Sequence, residues 1–264
     1  MTRLVISLGQ MDVVLGRPAV NLAQVQQWAA EAARQGSDVL VLPELWSTGY
    51  DLSNAADYAT AVTTGVFAEM ANLSKEHGIH ILGSCLSLLG EGRYGNTAVL
   101  FNPAGELLGM YSKVHLFQLM DEHQYLTPGN GRCLVQTDWG ESGLAICYDL
   151  RFPELFRAYA LDGAKIVFLP SEWPYPRLAH WQTLLRARAI ENQMYIVACN
   201  RVGTTEGTTF LGHSCIIDPW GEIVVEAGDT PALLTAAIDL EKVSEIRARI
   251  PVFADRNPAV YVRQ

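Results

Sequence analysis

The sequence predicts a four-layer αββα sandwich, and three observations carry that expectation. Apolar, β-branched runs alternate with segments of helical spacing along the whole chain. A turn of the form Asn/Asp-Pro-x-Gly recurs once in each half, between apolar alternations, and implies a pair of related sheets. Helical patterns fall in both halves, so each sheet can be covered on its outer face. Residues 1–264 show no low-complexity linker and no break in composition, so a single domain is expected.

The elements follow in order. Leu4–Gln10 reads as a strand, its apolar stretch being too short for a secretory signal. Pro18–Gln35 is a helix with Leu22, Val25, Trp28, Ala29 and Ala32 on one face, stopped by Gly36. Val39–Leu42 is a short strand, Thr64–His77 a helix stopped by Gly78, and Ile79–Ser84 a further strand. Thr97–Asn102 and Leu107–Ser112 form a hairpin through Asn102-Pro103-Ala104-Gly105, where Pro pre-sets the turn and Gly relieves it. Gly143–Cys147 reads as a buried strand, and Pro153 opens a helix to Asp162 with Leu155, Phe156 and Tyr159 at helical spacing. Strand Ile166–Leu169, helix Leu178–Asn192 and strand Tyr195–Asn200 continue the alternation, with Asn200-Arg201-Val202-Gly203 as a loop. His213–Asp218 and Ile223–Glu226 form the second hairpin around Asp218-Pro219-Trp220-Gly221. Strand Leu233–Asp239 and helix Glu241–Arg249 complete the series.

Composition narrows the function. Apolar residues make up 49% and charged residues 18%, an ordinary globular profile with ample material for a core. A formal net charge of −9 disfavours nucleic acid or an acidic membrane surface as the main partner, while leaving room for a local basic pocket. No apolar run reaches the roughly 18–20 residues of a membrane span. The 5 cysteines are odd in number, widely spaced and without C-x-x-C, which fits a reducing cytoplasm and neither a disulfide framework nor a zinc knuckle. The 6 histidines form no H-x-x-x-H pair; His115, His123 and His213 read as hydrogen-bonding residues, not metal ligands.

Cys147 is the strongest candidate for chemistry. It closes the run Gly143-Leu144-Ala145-Ile146 and precedes Tyr148-Asp149-Leu150-Arg151-Phe152-Pro153-Glu154. A thiol at a strand-to-helix turn sits at the rim of a sheet, with the next backbone N–H groups facing whatever it attacks. A core role is the competing reading for a lone cysteine. Glu44 ends the apolar run Val39-Leu40-Val41-Leu42-Pro43, where a buried charge needs a partner, and the aromatic Leu45-Trp46-Ser47-Thr48-Gly49-Tyr50 suggests pocket wall; a solvated loop acid is the alternative. Lys113 lies between apolar neighbours in Tyr111-Ser112-Lys113-Val114-His115, which points to a buried partner more than to a solvated charge. Together they supply a nucleophile, a proton carrier and a cation for developing negative charge. Cys199 also ends an apolar strand but lacks the following aromatic-acidic turn and helix start; Cys85, Cys133 and Cys215 read as small buried hydrophobes.

With these residues in view, the chain resembles the nitrilase, or carbon–nitrogen hydrolase, superfamily. The matching segments are Leu42-Pro43-Glu44-Leu45, Ser112-Lys113-Val114-His115-Leu116-Phe117 and Ile146-Cys147-Tyr148-Asp149-Leu150-Arg151-Phe152-Pro153-Glu154. The likeness runs from the first strand to Ile250-Pro251-Val252-Phe253. It implies a Glu-Lys-Cys triad on an αββα fold. It also implies a second glutamate, matched by Glu122 before Pro128-Gly129, which would hold Lys113 and touch the substrate amide; a surface acid beside Asp121 is the alternative. Within the superfamily the chain is similar to the omega-amidases, through Met120-Asp121-Glu122-His123, Trp173-Pro174-Tyr175-Pro176-Arg177, His180-Trp181-Gln182-Thr183-Leu184-Leu185, Arg188-Ala189-Ile190-Glu191-Asn192-Gln193 and Cys199-Asn200-Arg201-Val202-Gly203.

The resemblance implies hydrolysis of the terminal amide of a 2-oxo dicarboxylic acid monoamide, such as 2-oxoglutaramate or 2-oxosuccinamate, through a thioester on Cys147 and with no metal or organic cofactor. Its carboxylate would meet a cation: Arg177, with Arg151 as second choice or as a brace to Asp149 or Glu154. Tyr148 and Trp173 would line the pocket or else belong to the core. The family usually forms dimers, so a homodimer or higher homo-oligomer is expected, with the tail from about 250 at the interface or packed on its own subunit. Rival readings are a deaminated-peptide amidase, an N-carbamoyl amidohydrolase and a non-catalytic interaction protein on the same scaffold.

Overall fold

The structure is a computed structural model that describes residues 3–261. Its strands are β1 Arg3–Gln10, β2 Val39–Val41, β3 His80–Gly90, β4 Arg93–Phe101, β5 Leu107–Ser112, β6 Cys133–Thr137 and β7 Gly140–Leu144. They continue with β8 Ile166–Ser171, β9 Tyr195–Asn200, β10 Val202–Thr205, β11 Thr208–Leu211, β12 Cys215–Ile217, β13 Ile223–Glu226 and β14 Ala232–Asp239. The helices are α1 Pro18–Arg34, α2 Ala55–Tyr58, α3 Gly65–His77, α4 Glu122–Tyr125, α5 Pro153–Leu161, α6 Leu178–Asn192 and α7 Glu241–Arg249.

Two six-stranded sheets stack face to face, ordered β14-β1-β2-β3-β4-β5 and β6-β7-β8-β9-β12-β13. Each has the same plan: three parallel strands at the centre, one antiparallel strand on one side and an antiparallel hairpin on the other. The four-layer αββα expectation is therefore met, with α1 and α3 outside the first sheet and α5 and α6 outside the second. Alternation along β2 shows why the layers form. Val39 and Val41 join the core between the sheets, whereas Leu40 and Leu42 join the core beneath α1 and α3 with Val25, Ala29, Phe67 and Met70. A strand buried on both faces needs a continuous apolar run, and this one has it.

The two hairpins close in the same way. Asn102 Oδ1 accepts from the N–H groups of Ala104 and Glu106, and Asp218 Oδ1 from those of Trp220 and Glu222. Gly105 and Gly221 stand at φ 79° and 87°, which a side chain would resist.

The sequence reading misplaces some boundaries. The strand before Cys147 spans Gly140–Leu144, and Cys147 itself opens a 3₁₀ turn, Cys147–Arg151. Asn200–Gly203 is not a loop throughout, since Val202 starts the hairpin β10-β11. β6 went unread because Cys133–Thr137 has no clear alternation, and its pairing with β7 supplies the order instead. Among the described residues no helix is long and apolar enough to cross a membrane.

Candidate active site

Strand ends from both sheets converge beneath the loops. Glu44 lies three residues past β2, Lys113 one past β5 and Cys147 three past β7. Glu44, Lys113 and Glu122 are wholly buried, and Cys147 is 5% exposed. Burial of three charged side chains is tolerable only if they satisfy one another. Lys113 Nζ donates to Glu44 Oε1 at 2.7 Å and to Glu122 Oε1 at 2.6 Å. Asn96 Nδ2 donates to Glu44 Oε1 at 2.7 Å, and the N–H of Glu172 donates to Glu44 Oε2 at 2.9 Å. The hydroxyl of Tyr50 lies 2.6 Å from Glu122 Oε1 and 3.0 Å from Glu44 Oε1. Glu122 Oε2 takes the N–H of Phe117 at 2.7 Å, so this acid also fixes the loop that follows Lys113. The surface-acid alternative for Glu122 and the solvated alternatives for Glu44 and Lys113 are thereby excluded.

Electrostatics follow from burial and from these contacts. Burial alone would push the Lys113 ammonium down, but the charges of Glu122, Glu44 and Cys147 outweigh it and hold its pKa well above the ordinary lysine value. Burial pushes Glu122 up, against the pull of Lys113 and with the help of Glu44. Burial and the Glu44 charge raise the Cys147 thiol well above its ordinary value, with Lys113 opposing and a hydrogen bond to Glu44 reinforcing the rise. Both effects favour the protonated thiol at Cys147, close to the Glu44 carboxyl group.

Cys147 stands at φ 45°, a left-handed conformation that costs on the order of 1–3 kcal/mol outside glycine. Asp149 holds this turn. Its carboxylate accepts the N–H of Ile146 at 2.8 Å and the Tyr111 hydroxyl at 2.8 Å, and it bonds His115 through both N–H (3.2 Å) and Nδ1 (2.7 Å). One buried side chain therefore ties the cysteine turn to the segment on either side of Lys113.

A cavity opens on Cys147, walled by Phe117, Tyr148, Trp173 and Pro174 and carrying Arg151, Arg177 and Glu172. Tyr148, Trp173 and Arg177 thus share the space in front of the thiol. The Arg177 guanidinium lies 5.6 Å from the Phe117 ring centre, and that of Arg151 lies 4.7 Å from the Trp173 ring centre and beside His180. Asp149 is occupied elsewhere, so the brace suggested between Arg151 and Asp149 does not form. Cys199 is fully buried in β9, where burial pushes its thiol above the usual range, and it does not border this cavity.

The sequence reading missed Asn96, Glu172 and Arg201, and placed Tyr50 only in an aromatic stretch that suggested pocket wall. Asn96 carries no signal that separates it from ordinary polar residues. Glu172 carried one: it lies one residue, Ser171, beyond the apolar run Ile166-Val167-Phe168-Leu169-Pro170, much as Glu44 follows Val39-Leu40-Val41-Leu42-Pro43. Arg201 Nη1 donates to Glu172 Oε2 at 3.2 Å, both side chains being buried.

Comparison with known proteins places the chain among its relatives. A 2-oxoglutaramate amidase of Bacillus subtilis (strain 168) is 41% identical over 256 residues, 97% of this chain and 98% of that protein. An omega-amidase of Homo sapiens is 32% identical over 250 residues, 91% of each chain. A solved CN-hydrolase superfamily protein from Xanthomonas campestris, with an arsenic adduct in its active site, superposes with a TM-score of 0.91 at 31% identity, covering 97% of this chain and 98% of that one. The carbon-nitrogen hydrolase model matches residues 5–248, which takes in both sheets and every buried ion pair around Lys113, and the chain belongs to that family of enzymes.

Proposed function

We propose that the protein hydrolyses the terminal carboxamide of a 2-oxo dicarboxylic acid monoamide, such as 2-oxoglutaramate or 2-oxosuccinamate, and releases ammonia. The observation that carries this reading is the buried Glu44–Lys113–Glu122 cluster facing a thiol, in a cavity that also holds two guanidinium groups. The likeness to a 2-oxoglutaramate amidase supports the substrate class.

In this reading Glu44 removes the Cys147 proton as the sulfur attacks the amide carbon. The oxyanion is held by the Lys113 ammonium and by the N–H of Tyr148, which, early in the Cys147–Arg151 turn, has no partner within that turn. Glu44 then protonates the departing ammonia, and a thioester remains. Water deprotonated by Glu44 releases the acid and restores the thiol. Glu122 keeps Lys113 in place through its 2.6 Å contact.

A panel of 2-oxoglutaramate, 2-oxosuccinamate, a neutral amide, a deaminated-peptide amide and an N-carbamoyl amino acid, with ammonia as readout, tests this. The oxo-acid amides should be turned over fastest. In the same panel Arg177→Ala should raise KM for carboxylate-bearing amides about tenfold or more and leave the neutral amide nearly unchanged. Preference for the N-carbamoyl compound overturns the substrate class, and equal effects on both amides remove Arg177 from carboxylate binding.

We also infer a homodimer of single-domain subunits in the cytoplasm, joined in part through the segment from about residue 250. Ile250, Val260 and Tyr261 are large apolar side chains left exposed there, which supports this reading. Light scattering that finds only the monomer overturns it.

A further inference from the structure

Glu172 is a buried titratable group beside the site that the scheme above leaves without a task. It is wholly buried at the end of β8, and its backbone N–H already holds Glu44. Arg201 occupies one carboxyl oxygen, Oε2. The other, Oε1, is buried and has no hydrogen-bond partner. An unpaired buried oxygen is costly enough to need an explanation. Among the described residues Glu172 alone borders both the Cys147 cavity and a polar cavity of about 390 Å³ lined in part by Tyr50, Arg201 and Thr205.

We propose that Glu172 is a specificity-determining residue whose free Oε1 carries a proton and donates it in a hydrogen bond to the 2-oxo oxygen of the substrate. This deepens the function proposed above and rests on it. Burial pushes the Glu172 carboxyl up to about 8, Arg201 opposing and Glu44 adding to the rise. The charged and titratable groups facing it are Arg201 after β9, Glu44 after β2, Lys113 after β5 and Tyr50; Cys147, Arg151 and Arg177 border the same cavity. Arg201 fixes Oε2 as the acceptor, which leaves the proton to Oε1. A neutral acid next to the thiol suits a carbonyl oxygen. An ionised acid in the same place would repel the oxo group and favour a 2-ammonium group instead.

The test is the ratio of kcat/KM for 2-oxoglutaramate to that for glutaramate, the same chain without the oxo group. It is measured from pH 6 to 9.5 in the native protein, Glu172→Gln and Glu172→Leu. A ratio cancels titrations of Cys147, Glu44 and Lys113 that both substrates share. In the native protein the ratio should fall about tenfold as pH rises through the region of Glu172 ionisation. E172Q, which keeps a donor and a partner for Arg201 but cannot ionise, should hold it flat with pH. E172L should lower the ratio about tenfold or more at the acid end of the range, whatever it costs both substrates in common. Equal losses on both substrates, or a native ratio that does not move with pH, overturn the proposal. Turnover of glutaramate with none of the oxo amide would overturn the substrate reading itself, and the role of Glu172 with it.

Discussion

Cys147→Ala should abolish ammonia release and thioester formation while the protein stays folded. The substitution keeps Cβ and removes one sulfur from a side chain that is 5% exposed, so the void is small and the stability cost is about 1 kcal/mol. The backbone at φ 45° is unaffected in kind, because Cys and Ala resist that conformation equally. Activity is another matter. Without sulfur no acyl-enzyme forms, and the remaining oxyanion donors act on a substrate with no attacking group. A loss on the order of 10⁵-fold or more is expected. Ammonia assay, mass spectrometry of the trapped acyl-enzyme and circular dichroism read the three parts separately. Full activity in the variant would eliminate the covalent scheme.

Lys113→Met should damage stability and turnover together. The methionine fits the space, but Glu44 and Glu122 lose the ammonium they share at 2.7 and 2.6 Å. Removing one partner of a buried ion pair costs about 3–5 kcal/mol, since the charge left behind cannot be solvated. For a chain of this size that lowers Tm by on the order of 10 °C. The pH dependence has a definite sign. The folded-state pKa of Lys113 is raised, so its contribution is complete below the ordinary lysine value of about 10 and lost only as pH rises through the folded value. In the variant the deficit should instead shrink on acidification, as the two stranded carboxyls take up protons. Turnover should fall by at least the 10²–10³-fold, roughly, that one oxyanion donor supplies. An unchanged Tm, or turnover within tenfold of the native protein, would refute this account.

Glu44, Lys113 and Cys147 were readable because each breaks a local rule. A carboxylate closes an apolar strand, a lysine sits in an apolar stretch, and a thiol is followed by an aromatic-acidic turn and a proline-opened helix. The hairpins were readable because Asx, Pro and Gly act within four residues. Partnership between distant residues was not readable. Asn96 and Tyr50 become site residues only because β4 and the loop after β2 bring them onto Glu44 and Glu122. Arg151 looked like a brace for Asp149 because the two are neighbours in sequence, yet Tyr111 and His115 arrive from another segment and take that carboxylate. Glu172 was legible by the same rule as Glu44. Its partner Arg201, 29 residues further on, was not.

The matching plans of the two sheets have a consequence for the chemistry. One sheet delivers acid and ammonium, and the other delivers sulfur, so the proposed reaction would run along the seam between halves of the molecule. Neither half by itself carries the full set of groups. A slide of about 1 Å of one layer over the other would separate the reacting atoms by enough to cost roughly a hundredfold, with every strand and helix still intact. Turnover is therefore a finer gauge of interlayer alignment than any probe of secondary structure.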